Sequence, residues 1–221
     1  MRINDVFSEL NSITLKLIEL GLSVQQNFPH RSGNLISCKE SADISNLLRN
    51  ISYSEKYDLI NKENIYNVKL LDGALLQLMY AFTPNGRELV SHRLAYFPAP
   101  HLPNYENEPE DYESKYFGES EFHDLIEKDV IKTPIRFDFN IDASLFKEIH
   151  HPYSHLHLGE YESCRMPVYG PVCPSAFVNF ILRNFYNSAL VNYCNNYSFT
   201  VVSTDRTITN KEANMLHISF S

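Results

Sequence analysis

The chain has 221 residues, of which 43% are hydrophobic and 21% are charged. This composition is typical of a globular protein with a sizeable core, and at this length we expect a single domain spanning residues 1–221. No stretch approaches the roughly 20 apolar residues needed to cross a bilayer. The first 22 residues carry acidic side chains and lack a small-residue cleavage site, which is not typical of a signal peptide. We therefore expect neither a membrane span nor a membrane partner.

The net charge of −8 is concentrated in one part of the chain. Residues 105–129 contain ten acidic residues and two lysines, so this segment alone accounts for the net charge and the remainder is neutral. We interpret it as a solvated acidic connecting segment, because charge runs usually face solvent. The four cysteines show no Cys-x-x-Cys pairing, which indicates reduced thiols in a cytoplasmic protein.

The first predicted element is an amphipathic helix. Apolar residues recur at helical spacing from Ile3 to Leu20, and Gly21 follows where a C-cap glycine is common. A second, short helix is predicted over Ser41–Arg49. A further short helix is predicted inside the acidic segment, over Glu119–Glu127.

The middle of the chain has the pattern of an antiparallel meander. Asp72-Gly73 separates two apolar runs, Asn67–Leu71 and Ala74–Thr83, and Asp-Gly between such runs predicts a hairpin. A second turn at Pro84-Asn85-Gly86 leads into a third predicted strand, Glu88–Phe97.

Four further elements complete the prediction. Strands are predicted over Pro134–Asn140 and Ser154–Glu160 from their period-two alternation, and a helix over Ala176–Val191. A final strand is predicted over Asn214–Phe220, with Leu216, Ile218 and Phe220 inward. The predicted fold class is α+β, a single antiparallel sheet with the long N-terminal and C-terminal helices packed on one face.

Alternation places several ionisable groups together on the predicted sheet. His155 and His157 are two residues apart on a strand, so their side chains leave the same face, with Cα atoms roughly 7 Å apart. Arg136 and Asp138 are related in the same way on the preceding strand. If the two strands are neighbours, two imidazoles, a guanidinium and a carboxylate share one patch on the face away from the helices.

Residues elsewhere in the chain could extend this patch. The third strand of the meander offers His92 and Arg93, and the segment flanking the His155 strand offers His151 and Arg165. Arg183 lies on a polar stripe of the C-terminal helix and is a weaker candidate for substrate binding. Each of these groups could instead be structural, with the arginines bonding carbonyls or facing solvent.

The patch is compatible with two kinds of chemistry, and it is also compatible with having no function. Imidazoles can take and give protons near neutral pH, and an arginine can stabilise the charge that develops on a phosphate, which suffices for metal-independent RNA cleavage. Alternatively, His151, His155 and His157 could bind zinc or another first-row metal. An exposed polar sheet face also needs no function. For the acid–base reading we expect no cofactor.

Six ordered motifs resemble one family. They are Leu71-Asp-Gly-Ala-Leu-Leu-Gln77, His92-Arg-Leu-Ala-Tyr-Phe-Pro98, Pro134-Ile-Arg-Phe-Asp-Phe139, His151-Pro-Tyr-Ser-His-Leu-His-Leu-Gly159, Cys164-Arg-Met-Pro167 and Phe180-Ile-Leu-Arg-Asn-Phe-Tyr186. Together they look like the bacterial proteins known as domain of unknown function 2290, over most of the chain. The resemblance implies a bacterial cytoplasmic protein and assigns no activity. Members often carry threonine where this chain has His157, which directs attention to the other residues and away from a three-histidine metal site.

The leading functional prediction is a small bacterial effector, of the toxin or phage-defence type, that cleaves RNA by acid–base chemistry. The predicted catalytic residues are His155, His151, His92, Arg136, Asp138 and Arg165, and the predicted substrate-binding residues are Arg93, His157 and Arg183. One alternative is a non-enzymatic interaction module that binds a cognate protein, such as an antitoxin-like partner. Another is a metal-dependent hydrolase. A homodimer is compatible with each of these.

Overall fold

The computed structural model describes residues 1–39, 51–100, 133–161, 163–187, 190–191 and 204–220. The elements in chain order are α1 (Ile3–Glu19), β1 (Ser23–Gln26), β2 (His30–Ser32), β3 (Leu35–Ser37), α2 (Tyr53–Lys62), β4 (Val68–Leu70), β5 (Leu75–Phe82), β6 (Leu89–Phe97), β7 (Ile135–Asn140), β8 (Ser154–Leu158), β9 (Met166–Pro167), α3 (Pro174–Phe185) and α4 (Asn210–Ala213). The predicted helices over Ser41–Arg49 and Glu119–Glu127, like the acidic segment, lie outside the described residues.

In the described part of the chain, all strand pairs belong to one antiparallel sheet of nine strands. Its main order is β1-β4-β5-β6-β7-β8-β9, and the β2–β3 hairpin joins it through β3 and β5. The predicted meander is confirmed as β4, β5 and β6, and the predicted turn has Gly73 at φ 83°, which favours glycine. The α+β class with one antiparallel sheet is therefore confirmed.

The two longest helices of the described residues, α1 and α3, pack on the same face of the sheet, but only α1 is close to its predicted length. Apolar residues of α1 and α3 form one buried cluster with inward side chains of β5 to β8, including Leu78, Leu94 and Phe137. Phe137 is fully buried and meets Phe177 of α3 edge-on, with ring centroids 6.1 Å apart. This packing gives β6, β7 and β8 a mainly apolar inner face and leaves Arg93, Arg136, Asp138, His155 and His157 on the other face.

Helix α2 was not predicted and lies on the opposite face. It begins at a capping box, in which Ser52 and Glu55 each accept from the other's backbone N–H. Its residues Tyr57 and Ile60 join a second, smaller buried cluster with Leu75 of β5. The sheet is therefore covered on both faces near β4 to β6, and its polar patch lies towards β7 and β8.

The C-terminal predictions need correction. Helix α3 ends at Phe185, so it is shorter than the predicted Ala176–Val191. No strand forms over Asn214–Phe220 in the described residues. This segment makes only a single bridge, from Ile218 to Val168, and Leu216 is 79% exposed rather than inward. Among the described residues, no helix is long and apolar enough to cross a bilayer.

Candidate functional site

Strand pairing assembles the predicted polar groups into one cluster. Strands β7 and β8 are neighbours, and their register sets Asp138 opposite His155 and Arg136 opposite His157. On the other side, β6 sets Arg93 opposite Asp138. We call Arg93, Arg136, Asp138, His155 and His157 the His–Asp cluster. The sequence prediction that these residues share a patch on the face away from α1 and α3 is confirmed in its geometry.

Asp138 is the centre of charge in this cluster. Arg136 Nε donates to Asp138 Oδ2 at 2.7 Å, Arg93 Nε lies 3.6 Å from Oδ1, and His157 Nε2 lies 3.6 Å from Oδ2. Burial alone would raise the pKa of Asp138, but the guanidiniums of Arg136 and Arg93 outweigh it and hold the pKa below its usual value. Asp138 is therefore ionised at neutral pH.

The hydrogen bonds of His155 define its tautomer. Its Nδ1 lies 2.8 Å from the carbonyl oxygen of Pro152, which can only accept, so Nδ1 carries a proton. In the neutral ring Nε2 then presents a lone pair, and it lies 3.0 Å from Nε2 of His157. Both ring nitrogens of His155 are thus engaged within the protein.

The two imidazoles of the cluster are buried and neutral. His155 is 4% exposed and His157 is 7% exposed. Burial lowers the pKa of His155 to about 4 and the pKa of His157 to about 3, with Arg136 adding to the shift at His157. A buried neutral imidazole with both nitrogens occupied is poorly placed to exchange protons with a substrate, which weakens the predicted role of His155 as general acid or base.

His92 is not part of the cluster, contrary to prediction. It lies on the inner face of β6, between the rings of Tyr80 and Phe139, and its Nε2 accepts from the backbone N–H of Val172. Arg93, the next residue, points to the opposite face. His92 and Leu94 are two residues apart on β6 and therefore share a face. This spacing was a signal in the sequence that could have assigned His92 to the core.

Arg183 is also separated from the cluster. It is exposed on the last turn of α3, and α3 packs on the inner face of the sheet. The prediction that Arg183 binds substrate together with the histidines of β8 is therefore not supported by its position.

A polar cleft lies beside the cluster and contains the two remaining predicted residues. His151 packs against His155, with ring centroids 4.9 Å apart, and both His151 and Arg165 line an open cleft of about 490 Å³. Burial, together with the charge of Arg165, lowers the pKa of His151. The other described lining residues are Ser144, Leu145, Lys147, Ile149, His150 and Ser163. His151 is thus the predicted histidine that reaches open space.

The described lining of this cleft is cationic. It contains Lys147 and Arg165 and no carboxylate. Arg165 Nε is buried and has no hydrogen-bond partner among the described residues. Buried polar groups are normally paired, so this guanidinium N–H has capacity for an acceptor that the described residues do not supply.

A buried carboxylate fixes one wall of the cleft. Lys147 and His151 form a two-way backbone bridge that closes a tight loop, and Ile149 at its tip has a φ of 73°, a conformation rare for a β-branched residue. Glu212 of α4 is fully buried, and its Oε1 accepts from the backbone N–H of Ile149 at 3.0 Å. Glu212 Oε2 accepts from Thr209 N–H in a capping box. The loop is therefore held by the helix next to it.

Sequence reasoning missed the residues that build the cleft. Lys147, Ser163 and Glu212 were not candidates, and His150 was not assigned a role, because none of them follows a strand or helix period. The sequence Thr209-Asn-Lys-Glu212 does match the capping-box pattern, which could have identified the start of α4. Nothing in the sequence indicated that its glutamate also reaches Ile149.

The cluster offers a different set of metal donors from the predicted three histidines. Among the described residues, one set of three could hold a metal ion. It consists of Asp138, His155 and His157, whose donor atoms all lie within 4.8 Å of one another. His151 is not in this set, so the third donor is a carboxylate and not an imidazole.

Comparisons with known proteins identify the family. Searches of curated proteins and of solved structures returned no significant match. A family model described as "Uncharacterized conserved protein (DUF2290)" matches residues 22–220, which covers every strand of the sheet, both the cluster and the cleft, and all helices except α1. The chain therefore belongs to the DUF2290 family.

Proposed function

We propose that the protein cleaves phosphodiester bonds and that RNA is its substrate. The observation that supports this proposal is the cationic cleft, in which Lys147 and the unpaired Nε of Arg165 lie beside the imidazoles of His150 and His151. Arginine binds phosphate through a planar fork of donors, and lysine adds a point charge. A cleft lined in this way favours a phosphate over a neutral or cationic ligand.

RNA is favoured because it supplies its own nucleophile. In the proposed reaction one imidazole of the cleft takes the proton of the 2′-hydroxyl, and the 2′-oxygen attacks phosphorus. The bond from phosphorus to the 5′-oxygen breaks as that oxygen takes a proton from a second group. The products are a 2′,3′-cyclic phosphate and a 5′-hydroxyl. His151 and His150 are the cleft residues suited to these proton transfers.

The buried cluster has a supporting role in this proposal. His155 lies directly behind His151, and its contacts to Pro152 and His157 fix it in place. Arg136 and Asp138 are bonded to each other at 2.7 Å, so Arg136 stabilises Asp138 more directly than it could bind a phosphate in the cleft. We therefore assign phosphate binding to Arg165 and Lys147.

Replacing Arg165 should test the proposal. Arg165→Ala is expected to lower the rate of RNA cleavage by about 100-fold to 1,000-fold, because one donor to a developing phosphate charge is lost. Arg165→Lys keeps the charge but not the fork, and it should recover only part of the rate. The rates would be measured on a labelled single-stranded RNA, with the cyclic phosphate product identified by mass.

The control is Arg183→Ala, which removes an exposed arginine on the other face and should leave the rate unchanged. The wild-type reaction is run with EDTA and with added divalent metal. RNA that stays intact under all these conditions would overturn the proposal. Cleavage that EDTA abolishes would instead support the metal-dependent hydrolase.

We also propose a role as an effector that limits growth, as toxins and phage-defence nucleases do. This part of the proposal rests on a general analogy between this protein and small effector proteins that are rich in histidine and arginine. Overexpression of the wild-type protein in a bacterial host should arrest growth, and the Arg165→Ala variant at equal abundance should not. Equal growth with both proteins would count against an effector role, whatever the result on purified RNA.

A further inference from the structure

We propose that Asp138, His155 and His157 form a binding site for one divalent first-row metal ion, with zinc as the best fit. The three residues provide two imidazole nitrogens and one carboxylate oxygen from neighbouring strands. Two histidines and one carboxylate are a donor set that zinc uses in proteins. The proposal does not depend on the proposed function, because metal binding can be measured without any activity.

Two of the three distances between donor atoms are close to those that a small ion requires. His155 Nε2 and His157 Nε2 are 3.0 Å apart, and His157 Nε2 and Asp138 Oδ2 are 3.6 Å apart. Zinc bonds nitrogen and oxygen at about 2.0 to 2.2 Å, so two donors of a tetrahedral site lie about 3.3 to 3.5 Å apart. The third pair, His155 and Asp138, has its donor atoms within 4.8 Å, so an ion among the three would draw these two residues closer together by up to about 1.3 Å.

The hydrogen bond to Pro152 orients His155 as a metal ligand. Histidines that bind metals usually donate their other ring N–H to a carbonyl or a carboxylate, which fixes the tautomer and the ring orientation. Here His155 Nδ1 donates to the carbonyl of Pro152, and its Nε2 lone pair is directed towards His157 and away from solvent.

Asp138 can bind an ion while it keeps its partners. Arg136 Nε uses one lone pair of Oδ2, and each carboxylate oxygen has two. The guanidiniums of Arg136 and Arg93 do add positive charge near the ion. They would be offset by Asp138 and by an anion at the fourth position, which the three protein donors leave open.

The short distance between His155 Nε2 and His157 Nε2 can also be explained without a metal ion. Without an ion, His157 Nε2–H would donate to His155 Nε2, and the two rings would form a simple buried hydrogen-bonded pair. That arrangement predicts no metal binding, so the two cases can be separated by one set of measurements.

The test uses full-length protein purified without a histidine tag, stripped with a chelator and titrated with zinc in a calorimeter. The expected result is one ion per chain. His155→Gln, His157→Gln and Asp138→Asn should each weaken binding by roughly 100-fold or more, since loss of an outer-shell partner alone costs 10-fold to 100-fold. Two control variants, His92→Gln in the core and His217→Gln on the surface, should bind as the wild type does.

Cobalt provides a second readout that does not depend on stability. Co²⁺ in place of zinc should give the strong visible bands of a tetrahedral ion in the wild-type protein and lose them in His157→Gln. Circular dichroism establishes that each variant is folded. No binding by the wild type, or equal binding by a folded double variant of His155 and His157, would overturn the proposal.

Discussion

Glu212→Ala is expected to lower the free energy of unfolding by about 3 kcal/mol, because two hydrogen bonds to a buried carboxylate are lost at about 1.5 kcal/mol each. Glu212 is 0% exposed, and its two oxygens accept from Ile149 N–H and Thr209 N–H. Removing it leaves two partly buried N–H groups without this acceptor. It also removes the contact that holds Ile149 in its left-handed conformation.

The effect should extend to the cleft, because the loop from Lys147 to His151 forms part of its wall. A ligand that binds there, such as a short RNA or inorganic phosphate, should bind Glu212→Ala more weakly even under conditions where that variant is folded. Urea denaturation gives the stability, and a binding titration at low temperature in the absence of urea gives the effect on the cleft.

Two variants separate the role of Glu212 from general damage to α4. Glu212→Gln keeps one acceptor oxygen and should lose less stability than the alanine variant. Lys211→Ala removes an exposed ion pair between the same helix and Glu148 of the loop, and it should change stability by less than about 0.5 kcal/mol. A Glu212→Ala protein as stable as Lys211→Ala would show that Glu212 does not hold the loop.

The second large effect is expected on acidification. Burial lowers the pKa of His92 to about 4, whereas an unfolded histidine titrates near 6.5. Between these two pH values the unfolded chain binds a proton that the folded chain does not, so stability is full above pH 6.5 and falls as the pH is lowered towards 4. The slope is about 1.4 kcal/mol per pH unit, which gives a loss of about 3 kcal/mol from His92 at pH 4.

The contribution of His92 can be isolated with His92→Gln. Glutamine can still offer an oxygen to the N–H of Val172, but it does not titrate. The difference in unfolding free energy between pH 7 and pH 5, measured in urea, should be about 2 kcal/mol smaller in the variant than in the wild type. If both proteins lose the same stability between these pH values, His92 is not the group that senses acid.

The sequence by itself determined the class of the fold and the grouping of the polar residues along each strand. Side chains alternate between the faces of any β-strand, so Arg136 had to share a face with Asp138, and His155 with His157, whatever the rest of the chain does. The same rule could have assigned His92 to the core, since His92 shares a face of β6 with Leu94.

Only the tertiary structure decided how those groups meet. Strand order and register depend on contacts between distant parts of the chain, and these set Asp138 between Arg93 on one side and His155 on the other. The cleft depends even more on such contacts, because its walls are loops without a repeating pattern. The link from Glu212 to Ile149 spans 63 positions and follows no period, so no local feature of the sequence could have shown it.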